Sequence, residues 1–267
     1  MQKIILLLSL IIVALIFAGC PTTKETAKEQ PALPKPPAKP VVPEIMINVA
    51  SVSLAKFSKR IEERDIDQFA DTLKKRKIDI LTIQGVFRYP GVATRLDIVD
   101  ELARRTEMRQ AFGETINLSG RQSGNTVFSV YPIHSSDNTH YEGLQASNFE
   151  AALQSVVDCG VRDIVIVSTG IPEKASLSDL TICANKLGSF SIFYLNHPII
   201  IAGNLPKWDA IQKMEQYESL KPVGEDNVPR MWFSNDGSLK LIHQTVQHTN
   251  FGPMTVAQFG IYRQHQP

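Results

Sequence analysis

Four amide side chains stand in or beside apolar, strand-like segments of this sequence. They are Asn48, Gln84, Asn125 and Asn204. Amides donate and accept hydrogen bonds without carrying a charge, so a pocket lined by them can bind a neutral or polar ligand without doing chemistry on it. The same groups can equally cap strand ends and satisfy backbone groups. Both interpretations stay open on this pattern alone.

Histidine and acidic side chains offer a second candidate site in the segment HSSDNTH. His134 and His140 flank Asp137 there. The three side chains could hold a metal, but their spacing matches no regular ligand pattern. A solvated polar loop is therefore the favoured interpretation. The chain also has no G-x-S-x-G elbow, P-loop, H-E-x-x-H or paired C-x-x-C motif.

The first half of the chain alternates between strand and helix patterns that would position these groups. Ile45–Val52 and Ile78–Gln84 are predicted strands, and the second is a short apolar run that breaks off at Gly85. Between them, Ile61–Lys77 has apolar residues at helical spacing, with basic residues at its end. In open α/β sheets, ligands bind beyond the carboxyl ends of such strands. A site is therefore expected where the second strand ends.

The second half has the same mixed character. Phe149–Ile171 is ambiguous between helix and hairpin, and the turn residues in its middle favour the hairpin. Ser176–Leu187 is predicted to be a helix, followed by a buried strand that ends near Asn204, and Trp208–Leu220 is predicted to be helical. Three further strands are predicted, at Met231–Ser234, Leu239–Val246 and Thr255–Arg263. The whole pattern predicts a mixed α/β architecture.

Short segments, in the right order, resemble the endonuclease/exonuclease/phosphatase superfamily from about Ile45 to the C-terminus. INV around Asn48 resembles its opening "FNV" strand, whose asparagine helps to bind metal. DILTIQGV resembles "DIVALQEV", with Gln84 kept and Gly85 in place of the metal-binding glutamate. GNTVFSVYPI, which contains Asn125, is close to "GxAILSRYPI".

Three later segments resemble the family but lack its functional residues. IVIVSTGI resembles "VVNTHL", with Gly170 in place of the catalytic histidine. PIIIAGNLP resembles "PVILAGDFN", with Asn204 and Pro206 in place of the aspartate and asparagine. Met254 lies where the family has "SDH". The resemblance implies a four-layered sandwich, with two mixed β-sheets packed face to face and helices on the outer faces.

The missing groups are those that the family's chemistry needs. Phosphoester hydrolysis requires a hard cation held by carboxylates, an oriented water and an imidazole. Gly85 offers no oxygen to Mg²⁺, Asn204 is neutral, and Gly170 and Met254 have no titratable group. These losses predict a catalytically degenerate domain without a cofactor. A residual pocket would be formed by Asn48, Gln84, Gly85, Asn125, Gly170 and Asn204.

The alternative is a divergent phosphodiesterase or nuclease that uses Mg²⁺ or Mn²⁺ and draws its ligands from other positions. An acidic residue close to Asn48 and Asn204 in space would favour this alternative. The candidates are Asp97, Asp137, Asp163, Glu173 and Asp209.

The N-terminus has the pattern of a bacterial lipoprotein signal. Lys3 precedes an apolar run, and Phe17-Ala18-Gly19-Cys20 resembles a lipobox. This predicts a signal peptide over residues 1–19, a lipidated Cys20 with a Pro/Lys-rich tether over 20–43, and a domain over 44–267. An uncleaved anchor helix is the alternative. Either arrangement would place the domain outside the cytoplasm, in the bacterial cell envelope.

Composition limits the choice of partner. The net charge is +1, so no basic excess suggests nucleic acid, and the basic run Lys74–Lys77 is interpreted as a solvated helix end. The sequence leaves open whether Cys159 and Cys183 form a disulfide or stay as buried free thiols. The expected function is binding or scaffolding on the membrane, with an envelope protein or a small polar ligand as partner. A structural lipoprotein without a specific ligand remains a further alternative.

Overall fold

The structure is a computed structural model that describes residues 42–55, 57, 59–92, 95–144, 150–171, 175–205, 217–219, 229–234 and 236–263. The predicted signal peptide, Cys20 and almost all of the predicted tether lie outside these residues. So do Glu173, Pro206 and Asp209.

The described residues contain three helices and twelve strands. The helices are α1 (Glu63–Lys75), α2 (Ile98–Thr106) and α3 (Leu177–Phe193). The strands are β1 (Ile45–Ser53), β2 (Ile80–Arg88), β3 (Arg109–Leu118), β4 (Arg121–Ser129), β5 (Ile133–His140), β6 (Ala151–Asp158), β7 (Asp163–Gly170), β8 (Ile199–Asn204), β9 (Tyr217–Ser219), β10 (Arg230–Ser234), β11 (Leu239–Thr249) and β12 (Gly252–Ile261). The helices lie between β1 and β2, between β2 and β3, and between β7 and β8. None of the described helices is long and apolar enough to cross a membrane.

The strands form two six-stranded sheets, in the orders β11-β12-β1-β2-β4-β3 and β5-β6-β7-β8-β10-β9. Both sheets are mixed, because β1 and β2 pair in parallel and so do β7 and β8, whereas the other pairs are antiparallel. One apolar core, which includes Ile80, Ile166 and Phe259, lies between the sheets. Two others lie beneath the helices on the outer faces. The predicted four-layered sandwich is therefore confirmed.

The helices follow from their apolar spacing and their caps. In α1, Ile66, Phe69 and Leu73 are buried, as helical periodicity predicts. Helix α3 begins after Ser176, whose hydroxyl accepts a hydrogen bond from the backbone N–H of Asp179 at 3.2 Å. It continues to Phe193, beyond the predicted end at Leu187.

Three local expectations have definite outcomes. The hairpin preferred for 149–171 is confirmed, since β6 and β7 pair antiparallel from Ala152↔Thr169 to Asp158↔Asp163. The polar loop predicted for HSSDNTH is wrong, because this segment is most of β5, an edge strand paired with β6. The helix predicted at 208–220 lies largely outside the described residues, and its described part, 217–219, is strand β9.

The two parallel strand pairs run in the same direction. Near one end, the Gln84 side chain on β2 contacts Ser168 on β7. Near the other, the short segment 130–132 links the residues that precede the two strands: Val130 N–H donates to the carbonyl of Asp79, just before β2, and the carbonyl of Pro132 accepts from Asp158, which precedes β7. We call the end at which β1, β2, β7 and β8 finish the carboxyl end of the sandwich, and the opposite end the amino end.

The two described cysteines are free and buried in different layers. Cys159 belongs to the core between the sheets, whereas Cys183 lies beneath α3 on the outer face of the second sheet. Burial, with nearby carboxylates as a smaller cause, raises the pKa of each thiol to about 12.

Candidate functional site

Gln84 is the central polar side chain at the carboxyl end. Its amide nitrogen donates to Ser168 Oγ and to Thr82 Oγ1, both at 3.1 Å. Its amide oxygen accepts from Ser51 Oγ at 3.4 Å. All four side chains are buried, and Ser168 belongs to the opposite sheet. Gln84 therefore links the two sheets and is satisfied by protein groups.

Gly85 follows in a left-handed backbone conformation, with φ +68°. The register between β2 and β4 shifts around this residue, between Ile83 and Val86. A Cβ added to Gly85 would lie 2.8 Å from Ala55 Cα and 2.9 Å from Ala55 N. Real Cβ atoms do not approach backbone so closely, so a side chain at this position would displace the segment after β1.

Asn125 makes a second cross-sheet link. From β4, its side-chain nitrogen donates to the carbonyl oxygen of Ala151 at 2.8 Å, and the Thr169 hydroxyl donates to the same carbonyl at 3.0 Å. The Tyr141 hydroxyl lies 2.7 Å from Thr169 Oγ1. These groups are buried. The amide of Asn125 therefore also satisfies backbone within the fold.

Gly170 and Asn204 end β7 and β8 and lie directly opposite each other in the parallel pairing. Asn204 accepts a backbone hydrogen bond from Ile171 at 3.0 Å. Just before it, a Cβ on Gly203 would overlap the Thr169 carbonyl oxygen and lie 3.3 Å from Gln84 Cδ. The glycine thus lets β8 approach both β7 and Gln84.

Glu150 is a titratable group at this end that sequence reasoning missed. A Cβ built on Gly170 would lie 3.6 Å from Glu150 Oε2, an ordinary van der Waals distance. Burial raises the pKa of Glu150 to about 7. A carboxyl group that titrates near neutral pH is suited to donate or accept a proton. No motif marks Glu150, and only the pairing of β6 with β7 brings it beside Gly170.

Asn48 does not lie at the carboxyl end with Gln84, Gly170 and Asn204. Its register partner on β2 would lie just before Ile80, because Val49 pairs with Ile80 and Ser53 with Gln84. Its side chain donates to the Lys77 carbonyl at 2.9 Å and accepts from Gln258 Nε2 at 3.1 Å. At about 3.3 Å per residue, the five positions between Asn48 and Ser53 place it roughly 16 Å from the level of Gln84. It satisfies backbone at the amino end.

The described acidic candidates stand apart from Gln84 and its partners. Asp97 caps α2 through the N–H of Val99 and receives the Arg88 guanidinium at 3.1 Å. Asp137 lies on the exposed part of β5, and Asp163 begins β7 at the amino end. No group of three or more histidine, cysteine or acidic side chains is placed to hold a metal among the described residues. The described part of the carboxyl end does not fit a Mg²⁺ site.

The two histidines of β5 lie near opposite ends of that strand, and neither belongs to a metal-binding group among the described residues. His134 Nε2 lies 3.5 Å from Asp158 Oδ2, and its Nδ1 lies 3.8 Å from Asp163 Oδ2. His140, at the other end of β5, is 3.4 Å from the Asn138 side chain.

Met254, in place of the family's "SDH", is fully buried on β12 and pairs with Val52.

No family model and no curated protein matches this sequence. Solved structures do match in fold. An endonuclease/exonuclease/phosphatase from Bacteroides vulgatus is 10% identical, with a TM-score of 0.64 over 82% of this chain and 100% of that one. The human Nocturnin catalytic domain with bound sulfate anion is 13% identical, with a TM-score of 0.61 over 81% and 95%. An endonuclease/exonuclease/phosphatase from Beutenbergia cavernae is 13% identical, with a TM-score of 0.59 over 81% and 72%. The chain has the fold of these proteins.

Proposed function

We propose that this chain, with its endonuclease/exonuclease/phosphatase fold, is a lipid-anchored protein of the bacterial cell envelope that binds or scaffolds and has lost the fold's metal and catalytic residues. Its partner would be an envelope protein or a small polar ligand, and it would need no cofactor. Lipid attachment at Cys20 would hold it outside the cytoplasm.

The observation that carries this proposal is the packing around Gly85. The resembled family has a metal-binding glutamate at this position, and here the backbone of Ala55 occupies the space that a Cβ would take. The amide nitrogen of the preceding Gln84 is already hydrogen-bonded to Thr82 on its own strand and to Ser168 on the opposite sheet. A cation ligand is thus replaced by tight backbone packing, which supports a structural use of this end.

The anchoring part of the proposal is supported by the sequence. A basic start, a short apolar run and the lipobox-like FAGC form a bacterial lipoprotein signal, with residues 1–19 removed and 20–43 serving as the tether of a domain over 44–267. Mass spectrometry of the full chain purified from membranes tests it. A mass increase from a lipid on Cys20, absent in Cys20→Ala, is expected. An unmodified Cys20 would refute the anchor.

Calorimetric titration of Mg²⁺ and Mn²⁺ into the full chain tests the loss of the metal site. We expect no saturable binding at millimolar metal. Saturable binding that is lost in Asn204→Ala but kept in Asn48→Ala would overturn the proposal, because only Asn204 lies at the carboxyl end. The titration is preferable to hydrolysis assays alone, in which a trace nuclease would imitate activity.

One observation favours the alternative of a divergent Mg²⁺- or Mn²⁺-dependent phosphodiesterase. Glu150 places a carboxyl group with a pKa of about 7 beside Gly170, where the resembled family has its catalytic histidine. In this alternative Glu150 would exchange a proton with the reacting phosphodiester, and the missing cation ligands would include Glu173 or Asp209. Hydrolysis of a chromogenic phosphodiester that is lost in Glu150→Gln and kept in the exposed-site control Glu142→Gln would establish it. Equal rates in both variants would show that Glu150 takes no part in the hydrolysis and would contradict this alternative.

A further inference from the structure

The amino end of the sandwich is where the described chain begins. Val42 is 74% exposed, and β1 starts at Ile45 and runs away from this end. Cys20 lies 22 residues before Val42. A lipid on Cys20 would therefore connect to the domain at its amino end, through a segment whose maximum extension is about 75 Å.

Three large apolar side chains are exposed at the same end. Ile192, Phe193 and Leu195 are 68%, 75% and 78% exposed. They lie where α3 finishes, just before β8 begins. The inward face of this helix is already filled, because Cys183, Leu187 and Phe190 are buried against the sheet. An apolar cluster of this kind at one corner of a domain is typical of contact with a partner or a membrane.

Cationic groups lie at the same end of the sandwich, beside α3 and, on the opposite outer face, at the end of α1. Arg162, beside the start of β7, donates through its guanidinium to the Asn196 carbonyl at 3.1 Å, next to Leu195. At the corresponding end of α1, Lys74, Lys75, Arg76 and Lys77 are all exposed. The Lys77 carbonyl accepts from Asn48, which fixes this run at the amino end. None of the four forms an ion pair with any residue that the structure describes.

We propose that this amino-end surface, made of Lys74–Lys77 together with Ile192, Phe193 and Leu195, rests on the surface of an anionic lipid bilayer. The apolar side chains insert at the boundary between headgroups and acyl chains, and the basic run meets the negative headgroups. The inference rests on the lipid anchor of the proposed function. Because the anchor already holds the domain near the bilayer, a weak surface contact is sufficient to orient it.

Charge favours a lipid surface over a second copy of the chain. In a symmetric dimer the same patch meets itself, so neither basic run would face a surface of opposite charge. An anionic bilayer complements both the basic run and the apolar side chains. The predicted orientation points the carboxyl end, with Gln84, Glu150 and Gly170, away from the membrane.

Site-specific fluorescence on the full chain tests this contact. Phe193→Cys carries an environment-sensitive dye, and Leu177→Cys is the matched control, because Leu177 is also 75% exposed but begins α3 at the carboxyl end. Cys159 and Cys183 are buried thiols with a raised pKa, so the dye reacts mainly at the new cysteine. The labelled proteins are reconstituted in vesicles of phosphatidylcholine and phosphatidylglycerol that contain a brominated lipid as quencher.

We expect quenching several-fold stronger at position 193 than at position 177, with a blue shift only at 193. Replacing Lys74–Lys77 by glutamines should reduce this difference in phosphatidylglycerol vesicles and leave it unchanged in phosphatidylcholine alone. Equal quenching at the two positions, with a lipid found on Cys20, would overturn this inference and leave the anchor intact. A concentration-dependent dimer that Phe193→Asp abolishes would assign the patch to a second copy, and would also overturn it. An unlipidated Cys20 would refute the anchor and this inference with it.

Discussion

The two ends of the sandwich use polar residues in opposite ways. At the carboxyl end, Gln84 and Asn125 are buried, and each joins one sheet to the other through hydrogen bonds. At the amino end, Lys74–Lys77 are exposed and unpaired with described residues, and three apolar side chains at the end of α3 are left uncovered by packing. In open α/β sheets, ligands bind beyond the carboxyl ends of the strands. Here that end is largely filled by the protein's own groups, and the surface features that packing does not explain lie at the other end.

The cost of rebuilding a carboxylate at Gly85 is the strongest test of this contrast. Gly85→Glu should lower the free energy of unfolding by about 3 kcal/mol, because a left-handed φ costs about 1–2 kcal/mol for a residue with a side chain and overpacking adds about 1–3. Gly91→Glu is the matched control, since Gly91 also has a positive φ but no atom within 4 Å of an added Cβ. It should lose only about 1 kcal/mol. Urea unfolding measures both free energies. Equal losses would show that the backbone at Ala55 moves aside at little cost, and would contradict the expected clash.

The pH dependence of stability tests the buried carboxyl group at the same end. The pKa of Glu150 is raised from about 4.5 to about 7 by burial, so the folded state binds its proton more tightly than the unfolded state. The stability that this group contributes is full below pH 4.5 and is lost as the pH rises to about 7. Glu150→Gln, which does not ionise, should therefore match the wild type near pH 4.5 and exceed it by about 3 kcal/mol at pH 8. The exposed-site variant Glu142→Gln should follow the wild type at both pH values.

The cross-sheet network should be worth less than the packing at Gly85. Gln84→Leu leaves the hydroxyls of Thr82 and Ser168 without their amide partner, and we expect a loss of about 1–2 kcal/mol in urea unfolding. Adding Ser168→Ala removes one of the two hydroxyl groups that lost the amide of Gln84 as a hydrogen-bond partner. The double variant should thus lose less than the sum of the two single losses. Strict additivity would mean that Gln84 and Ser168 do not depend on each other.

The amino end should tolerate change best. Ile192→Asp and Phe193→Asp should each alter the free energy of unfolding by less than about 0.5 kcal/mol, because exposed side chains contribute little to folding. The contrast is Phe190→Ala, three residues away and only 2% exposed, which should cost about 3–5 kcal/mol. A large loss at Phe193 would show that this side chain is part of the core, and would remove the reason to seek a partner for it.

The sequence predicts the sandwich well because its strands are short apolar runs with clear boundaries. It predicts the level of Gly170 and Asn204 for the same reason, since each ends such a run. The predicted break at Gly85 is wrong, because β2 passes through a bulge there and continues to Arg88. The position of Asn48 along the sheet could not be predicted in this way. Its motif is similar to the family's, but its position along the sheet depends on the register with β2, and register is decided by pairing rather than by local pattern.

The position of Glu150 and the strand β5 could not be predicted from the local sequence. Glu150 is placed by the β6–β7 pairing, which brings it next to Gly170, 20 positions later in the sequence. Strand β5 lacks apolar alternation because it is a polar edge strand, so periodicity indicated a loop. In each case the position depends on pairing with another strand, and the pattern of residues along the chain does not show which strands pair.

The separation of the two cysteines has a consequence for the history of each molecule. Cys159 and Cys183 are buried on opposite faces of one sheet, so the native fold keeps their sulfur atoms apart. A disulfide between them could close only in a chain that had not yet folded or had opened. In an oxidising medium, the fraction of chains carrying that bond would therefore be a chemical record of unfolding events.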